Sequence, residues 1–145
     1  MIIKVINNSR NDIPRYAHDG DSGMDLRANL DHPISLEPNK RVLVPTGIHM
    51  QIPRGYEGQV RGRSGLALKN GVTVLQGVGT IDAGFIGDIG VVLINHGEET
   101  FQIKNGDKIA QLVICPIKNV IIAEVDNLDN TARGQKGYGS TGVDN

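Results

Sequence analysis

The run Gly77-Val-Gly-Thr-Ile-Asp-Ala-Gly-Phe-Ile-Gly-Asp-Ile-Gly-Val-Val-Leu-Ile-Asn95 is the stretch around which the chain is organised. Its first half, 77–87, is a glycine-punctuated turn that carries one carboxylate, Asp82, and one aromatic ring, Phe85. Its second half, 88–95, reads as a strand, because an aliphatic run stands between turn-forming residues. Glycine tolerates positive φ and lets another backbone or a ligand approach closely. The run therefore predicts a pocket floor with a charge beside it.

Short strand-like segments extend outward from this run in both directions. Turn formers separate them, and the only helical pattern, 63–69, lasts about two turns. Many short strands without βαβ alternation are typical of an all-β sandwich or barrel. The predicted strands are 2–6, 24–28, 33–36, 41–44, 47–52, 56–61, 72–75, 88–95, 100–103, 108–114 and 121–125.

Length and composition limit the classes of function. A chain of 145 residues fits one domain, and its net charge of -1 gives no electrostatic reason to expect nucleic acid or an anionic membrane as a partner. The single cysteine, Cys115, excludes an internal disulfide, fits a reducing compartment and is predicted to be buried in the core. No apolar run is long enough to cross a bilayer, so a cytoplasmic protein is expected.

The C-terminal 20 residues differ from the rest of the chain. The segment 126–145 is polar and poor in aliphatic residues, and four of the 19 glycines lie in it. We expect a β domain over 1–125 and a flexible arm over 126–145. One interpretation is a frayed terminus; the other is a glycine-hinged lid with side chains suited to phosphate.

Two familiar cofactor patterns are excluded. Residues 137–142 match G-x-G-x-x-G, but no βαβ unit surrounds them, so a dinucleotide fingerprint is not indicated. The four histidines lack metal-ligand spacing, and a single cysteine does not supply a zinc site. The ligand set of a zinc-dependent nucleobase deaminase is therefore also missing.

Four separate signals each leave a functional and an ordinary interpretation open. Residues 63–65 place an arginine, a serine and a glycine at the start of a helix, which suits an anion but also fits an ordinary cap and turn. Asp25 shares a strand face with Arg27, so a solvated salt bridge is the alternative to a functional carboxylate. Asp82 is either a general base for water or a turn aspartate, and Gln111 is either a ligand contact or a surface or sheet-edge residue.

Taken together and in order, five segments resemble the motifs of the homotrimeric dUTPase family (deoxyuridine triphosphate nucleotidohydrolase) along nearly the whole chain. The segments are Ser22-Gly-Met-Asp-Leu-Arg-Ala28, Arg63-Ser-Gly-Leu-Ala67, Gly79-Thr-Ile-Asp-Ala-Gly-Phe-Ile-Gly87, Gly106-Asp-Lys-Ile-Ala-Gln-Leu112 and Arg133-Gly-Gln-Lys-Gly-Tyr-Gly-Ser-Thr-Gly142.

The resemblance implies a jelly-roll-like β domain that assembles as a homotrimer, with sites shared between subunits and a C-terminal arm closing over a neighbour's site. It implies hydrolysis of dUTP to dUMP and pyrophosphate, by Mg²⁺-assisted attack of an activated water on the α-phosphate. Such a reaction limits uracil incorporation into DNA and supplies dUMP for thymidylate synthesis.

The resemblance also implies a role for each matching residue. Asp82 would activate the water, Phe85 would pack under the deoxyribose, and Asp25 would serve the metal through water. Phosphate contacts would come from Arg63, Ser64, Gly65 and Gln111, and from the arm residues Arg133, Ser140 and Thr141. Gly139 of the arm would also belong to the substrate-binding residues. The backbone of Gly77, Val78, Gly79, Thr80 and Ile81 would read uracil, and the Tyr138 ring would stack on it.

Four positions depart from the family pattern. Phe85 stands in place of a tyrosine and keeps the ring but loses its hydroxyl, and Tyr138 stands in place of a stacking phenylalanine. Lys136 adds charge to the arm, and Gly62 makes the turn before Arg63 less rigid than the usual proline. Two alternative functions stay open: a dCTP deaminase of the same fold, and a non-enzymatic nucleotide-binding or regulatory protein.

Overall fold

A computed structural model describes residues 1–138, and over this range the chain forms eleven strands and one short helix. The all-β prediction is confirmed. The elements are β1 (Lys4–Asn7), β2 (Met24–Arg27), β3 (Ile34–Leu36), β4 (Arg41–Val44), β5 (Ile48–Gln51), β6 (Tyr56–Arg61), α1 (Ser64–Asn70), β7 (Val72–Val74), β8 (Val78–Ile81), β9 (Val91–Asn95), β10 (Phe101–Ile103) and β11 (Lys108–Pro116).

A four-stranded antiparallel sheet in the order β2-β11-β6-β8 carries most of the residues of interest. Its register places Asp25, Gln111, Arg61 and Val78 in one row across the four strands. Because side chains alternate along a strand, this row lies on the face opposite the core. The core face carries fully or almost fully buried aliphatic residues such as Leu26, Val60 and Leu112.

A β-bulge interrupts the pairing of β11 with β2. Lys108 pairs with Arg27, but Ala110 pairs with Leu26, so one extra residue, Ile109, is inserted between them. Both Ile109 and Ala110 are fully buried, and strict alternation would have placed Lys108 on the same face as Ala110. The bulge instead brings Lys108 to the outer face, beside Asp25.

Three smaller sheets complete the packing. A three-stranded sheet has the order β4-β9-β7, and two-stranded sheets join β1 to β5 and β3 to β10. Their buried side chains form one hydrophobic cluster with the core face of the four-stranded sheet. Burial of this aliphatic surface stabilises the fold. Among residues 1–138, no helix is long and apolar enough to span a bilayer.

Three local predictions are wrong. No strand forms over 121–125, where Ile121 and Ile122 are 98% and 86% exposed, because no described strand lies beside this segment to pair with it. The predicted glycine turn contains strand β8, and β9 begins at Val91 rather than at residue 88. Cys115 is half-buried rather than part of the core, and its Sγ lies 3.7 Å from a guanidinium nitrogen of Arg61.

Candidate active site

A cleft of about 330 Å³ lies where β2, β11 and the start of α1 meet. Five of the predicted site residues meet there: Asp25 from β2, Arg63, Ser64 and Gly65 at the start of α1, and Gln111 from β11. The sheet register accounts for this, since Gln111 pairs with Asp25 on one side and with the last residue of β6 on the other. The full lining is Arg15, Ala17, Asp21, Ser22, Gly23, Asp25, Arg63, Ser64, Gly65 and Gln111.

An ion-pair cluster fixes the charged side chains of the cleft. The Nε of Arg63 lies 3.0 Å from one carboxylate oxygen of Asp25, and the Nζ of Lys108 lies 2.7 Å from the other. Arg63 also donates a hydrogen bond of 3.0 Å to the backbone carbonyl of Lys108. Arg27 donates instead to the carbonyl of Gly106, so the solvated pair of Asp25 with Arg27 does not form. Two cations thus share one carboxylate, and the cluster keeps a net positive charge suited to phosphate.

The start of helix α1 adds backbone donors to this cleft. Arg63, the residue before the helix, is extended and provides no side-chain cap. The first amides of a helix have no partner within the helix, so those near Ser64 and Gly65 can donate to a ligand. A Cβ built on Gly65 would meet no atom within 4 Å, so the space beside this residue is open.

Gln111 is placed by strand pairing and by a neighbouring glycine. It lies in β11, an inner strand of the sheet, so the interpretation as a sheet-edge residue does not hold. Its Nε2 donates to the carbonyl of Gly62 at 3.1 Å. A Cβ at Gly23 would stand 2.3 Å from the Oε1 of Gln111. The missing side chain at position 23 therefore leaves room for this amide at the cleft.

The glycine hairpin lies at the other side of the sheet. Strand β8 is an edge strand, and within residues 1–138 no strand pairs with its outer side, which carries backbone donors and acceptors. Beyond it, the amide of Phe85 donates to the carbonyl of Asp82 at 3.1 Å, and Gly84 has a φ of 98° that L-residues disfavour. The Phe85 ring lies over Gly87, where an added Cβ would stand 2.6 Å from the ring.

Within one chain, Asp82 does not reach the cleft. Asp25 and Val78 are separated by three strand spacings in one row, and Asp82 lies four residues further along from Val78. With about 4.8 Å between strands and about 3.3 Å per residue, Asp82 is roughly 20 Å from Asp25. Neither Asp82 nor Phe85 lines the cleft. The predicted phosphate residues and the predicted base therefore lie apart in a single copy.

The arm is described only as far as Tyr138. Arg133 donates to the carbonyl of Lys136 at 3.1 Å, and the Tyr138 side chain is fully exposed. Neither residue lines the cleft. The predicted arm residues Gly139, Ser140 and Thr141 lie outside the described range.

Sequence reasoning missed Lys108 and Arg15 as parts of the charged surface around the cleft. The apparent alternation over 108–114 gave no sign that the Lys108 side chain lies on the outer face of the sheet. The bulge breaks this alternation. Arg15 comes from an irregular segment without periodicity, and it pairs with Asp12 at 2.7 Å. The only feature of the sequence that pointed to Lys108 was its position within the fourth motif.

Oxygen donors at the cleft suit a hard cation. The carboxylates of Asp21 and Asp25 both line it, although no cluster of three or more potential metal-binding side chains occurs within residues 1–138. Mg²⁺ keeps several waters and takes few protein carboxylates, with substrate phosphates completing its coordination. The donor set therefore fits a Mg²⁺ ion that enters with a phosphate ligand.

Comparison with solved protein structures identifies proteins that share this fold. The fold and cleft define a β protein with a cleft that holds two arginines, two aspartates and the start of a helix. A solved structure of a mutant dUTPase from Staphylococcus bacteriophage 80alpha with dUpNHpp superposes with a TM-score of 0.90 at 27% identity, over 98% of this chain and 99% of that chain. A mutant dUTPase from phage phi11 of S. aureus, described with a coordinated structural Mg(II) ion, superposes with a TM-score of 0.81 at 27% identity, over 90% of this chain and 100% of that chain.

Sequence relatives point the same way. The deoxyuridine 5'-triphosphate nucleotidohydrolase of Clostridium tetani is 56% identical over 90% of this chain and 88% of the relative. That of Rhizobium johnstonii is 49% identical over 98% of this chain and 92% of the relative. The family model for dUTPase matches residues 9–142. The chain belongs to the dUTPase family, and the expected jelly-roll-like fold is confirmed with it.

Proposed function

We propose that this protein hydrolyses dUTP to dUMP and pyrophosphate. The observation that carries the proposal is the cleft in which Arg63 is held by Asp25 and by the carbonyl of Lys108, in a chain of the dUTPase family. Because these contacts already restrict the guanidinium, it loses little further side-chain entropy when it binds phosphate oxygens. In a cell, the reaction limits uracil incorporation into DNA and supplies dUMP for thymidylate synthesis.

The triphosphate occupies the cleft. The guanidinium of Arg63, the hydroxyl of Ser64 and the amide of Gly65 donate to its oxygens, and the Gln111 amide contacts the same region. The open space beside Gly65 supports this placement. Since phosphoryl transfer depends on positioning and on neutralising charge, these donors also favour the transition state.

Uracil binds along the glycine-rich start of the hairpin. Backbone groups of 77–81 donate to and accept from the base edge, and the outer side of edge strand β8 supplies them. Gly77 and Gly79 keep side chains out of the approach. A backbone that reads donors and acceptors would reject cytosine, whose amino group donates where uracil has an accepting carbonyl.

Asp82 acts as the general base. Its carboxylate takes a proton from a water as the water oxygen attacks the α-phosphorus, and the bond to the bridging oxygen breaks to release pyrophosphate. The Phe85 ring packs under the deoxyribose and leaves no room for a 2'-hydroxyl. Asp25 would hold a Mg²⁺ ion through water, and the ion would supply charge neutralisation for the reaction.

The site is shared between copies of the chain in a homotrimer. The separation of roughly 20 Å between Asp25 and Asp82 supports this, since it is too long for one nucleotide α-phosphate to meet both groups. The exposed apolar side chains of 117–128 also support it, because contact of these side chains with water is unfavourable in a single copy. These are Ile117, Val120, Ile121, Ile122, Val125 and Leu128.

The arm over 126–145 closes over a neighbouring site as a lid. Arg133, Ser140 and Thr141 hold the terminal phosphate, and Tyr138 stacks on uracil. Deleting 133–145 is expected to leave a folded, assembled protein with little activity, because the core cluster of residues 1–138 includes none of residues 133–138. Circular dichroism, light scattering and pyrophosphate release measure the three properties. A truncated protein with full activity would remove the lid from the mechanism.

Replacing Asp25 by asparagine tests the metal role. The variant keeps the shape of the side chain but loses the charge that faces the metal, so the Mg²⁺ concentration for half-maximal activity is expected to rise about tenfold. A titration of activity with Mg²⁺ at saturating dUTP measures it. Arg15→Gln, which changes another charge at the cleft, is the matched control. An unchanged Mg²⁺ titration for the asparagine variant would exclude Asp25 from metal binding.

The proposed function is tested by measuring pyrophosphate release with dUTP, dCTP, dTTP and UTP side by side. Rapid release from dUTP alone is expected. Release of ammonia from dCTP would instead identify a deaminase, and tight dUTP binding without release would identify a nucleotide-binding protein.

A further inference from the structure

The loop between β8 and β9 is tied to strand β5 and the residues before it by side-chain contacts that strand pairing does not require. The Nδ1 of His49 in β5 lies 2.9 Å from the backbone carbonyl oxygen of Ile86. Two residues further on, one carboxylate oxygen of Asp88 accepts from the amide of Gly47 at 3.0 Å and from the hydroxyl of Thr46 at 3.2 Å. Asp88 fixes the exit of the loop, and His49 holds a point within it.

The contacts of His49 define its tautomer. A carbonyl oxygen only accepts, so Nδ1 must carry the proton. In the neutral ring, Nε2 then has a lone pair, and the side-chain amide nitrogen of Asn8 lies 3.3 Å from it as a donor. Both ring nitrogens therefore have partners of matching polarity. This arrangement orients the ring toward the loop.

The backbone carbonyl that His49 contacts belongs to Ile86, the residue directly after Phe85. The Ile86 side chain is 72% exposed, so packing contributes little to holding this residue. The Phe85 ring lies over Gly87, and the Phe85 amide closes a turn onto Asp82. The His49 hydrogen bond thus links the loop to strand β5 at the Ile86 carbonyl, in addition to the Asp88 contacts at the loop exit.

We propose that His49 is a positioning residue that sets the preference for deoxyribose over ribose, and this rests on the proposed function. By holding the Ile86 carbonyl, His49 fixes the height of the Phe85 ring under the sugar. When the hydrogen bond is lost, the ring can move away and admit a 2'-hydroxyl. The effect acts on the choice between dUTP and UTP rather than on the chemical step.

The test compares kcat/KM for dUTP and UTP in His49→Leu, His49→Asn and Asn8→Ala. Leucine has similar bulk but no donor, so the dUTP to UTP ratio is expected to fall about fivefold to tenfold, the worth of one hydrogen bond. Asparagine can place its amide nitrogen where Nδ1 lies and is expected to restore most of the ratio. Asn8→Ala leaves the donor to Ile86 and should keep the ratio within about twofold.

A purely structural histidine would give a different result. His49→Leu would then lose activity toward both nucleotides equally and leave the ratio unchanged, which would overturn the proposal. A ratio that falls as far in His49→Asn as in His49→Leu would also overturn it, because the donor would not be the cause.

A second measurement does not depend on activity or on the variants folding. Nitrogen-15 NMR of the wild-type imidazole at mildly alkaline pH should show a protonated Nδ1 and an unprotonated Nε2 at His49. A protonated Nε2 as the main form would refute the hydrogen bond to Ile86. If the wild-type protein released no pyrophosphate from dUTP, the proposed function would fail, whereas this NMR result would still test the His49 contact.

Discussion

Replacing Asp82 by asparagine is expected to lower the turnover of dUTP at least about a hundredfold while dUTP still binds, because a positioned general base contributes at least that factor. The amide has the shape of the carboxylate but cannot take a proton from water. The loop should persist, since its turn uses the backbone carbonyl of Asp82 and not the side chain. Turnover is measured by pyrophosphate release, and affinity by calorimetry with the non-hydrolysable analogue dUpNHpp.

The matched control is Asp88→Asn. Asp88 is the other acidic residue of the hairpin region, but its carboxylate accepts hydrogen bonds from Thr46 and Gly47. We expect that variant to lose thermal stability and to keep more turnover than the Asp82 variant. Turnover of the Asp82 variant close to that of the wild type would remove Asp82 from the mechanism. Loss of dUpNHpp binding would instead give Asp82 a role in binding.

Local sequence patterns correctly predicted the elements whose formation depends mainly on nearby residues. The alternation over 56–61 matches strand β6, and the short helical pattern at 63–69 matches α1 within one residue. The run 121–125 has the composition of a strand, but a strand needs a partner, and no described strand provides one. The glycine pattern predicts a turn at Gly79, but Gly79 lies in strand β8. A Cβ at this position would stand 3.3 Å from the side chain of Val60 on the paired strand.

The candidate site depended on contacts that no sequence pattern encodes. Asp25 and Arg27 share a strand face, which suggests a pair between them. The partners of Asp25 are Arg63, after β6, and Lys108, which a bulge turns outward. The resemblance to the family named Arg63 and Asp25 by position, but the link between them follows from the sheet order β2-β11-β6. That link is what fixes the guanidinium.

Mixing two inactive variants is expected to restore activity if the site is shared. Asp82→Asn lacks the base but keeps the phosphate cleft, and Arg63→Ala lacks the cleft arginine but keeps the base. When the two chains are unfolded together and refolded into mixed trimers, about a quarter of the sites combine an intact Asp82 with an intact Arg63 from another subunit. The mixture should therefore recover up to about a quarter of wild-type turnover, measured by pyrophosphate release.

A site contained in one chain cannot behave in this way, because every copy in the mixture carries one of the two defects. Refolding each variant alone is the control, and native mass spectrometry of chains with different tags verifies that mixed trimers form. Activity of mixed trimers no greater than that of the separate variants would place Asp82 and Arg63 in one copy's site. The roughly 20 Å between Asp25 and Asp82 would then have to close within a single chain, which would require the four-stranded sheet to break its register. Because its core face is packed with buried aliphatic residues, the sheet resists such a change, and we expect the mixed trimers to be active.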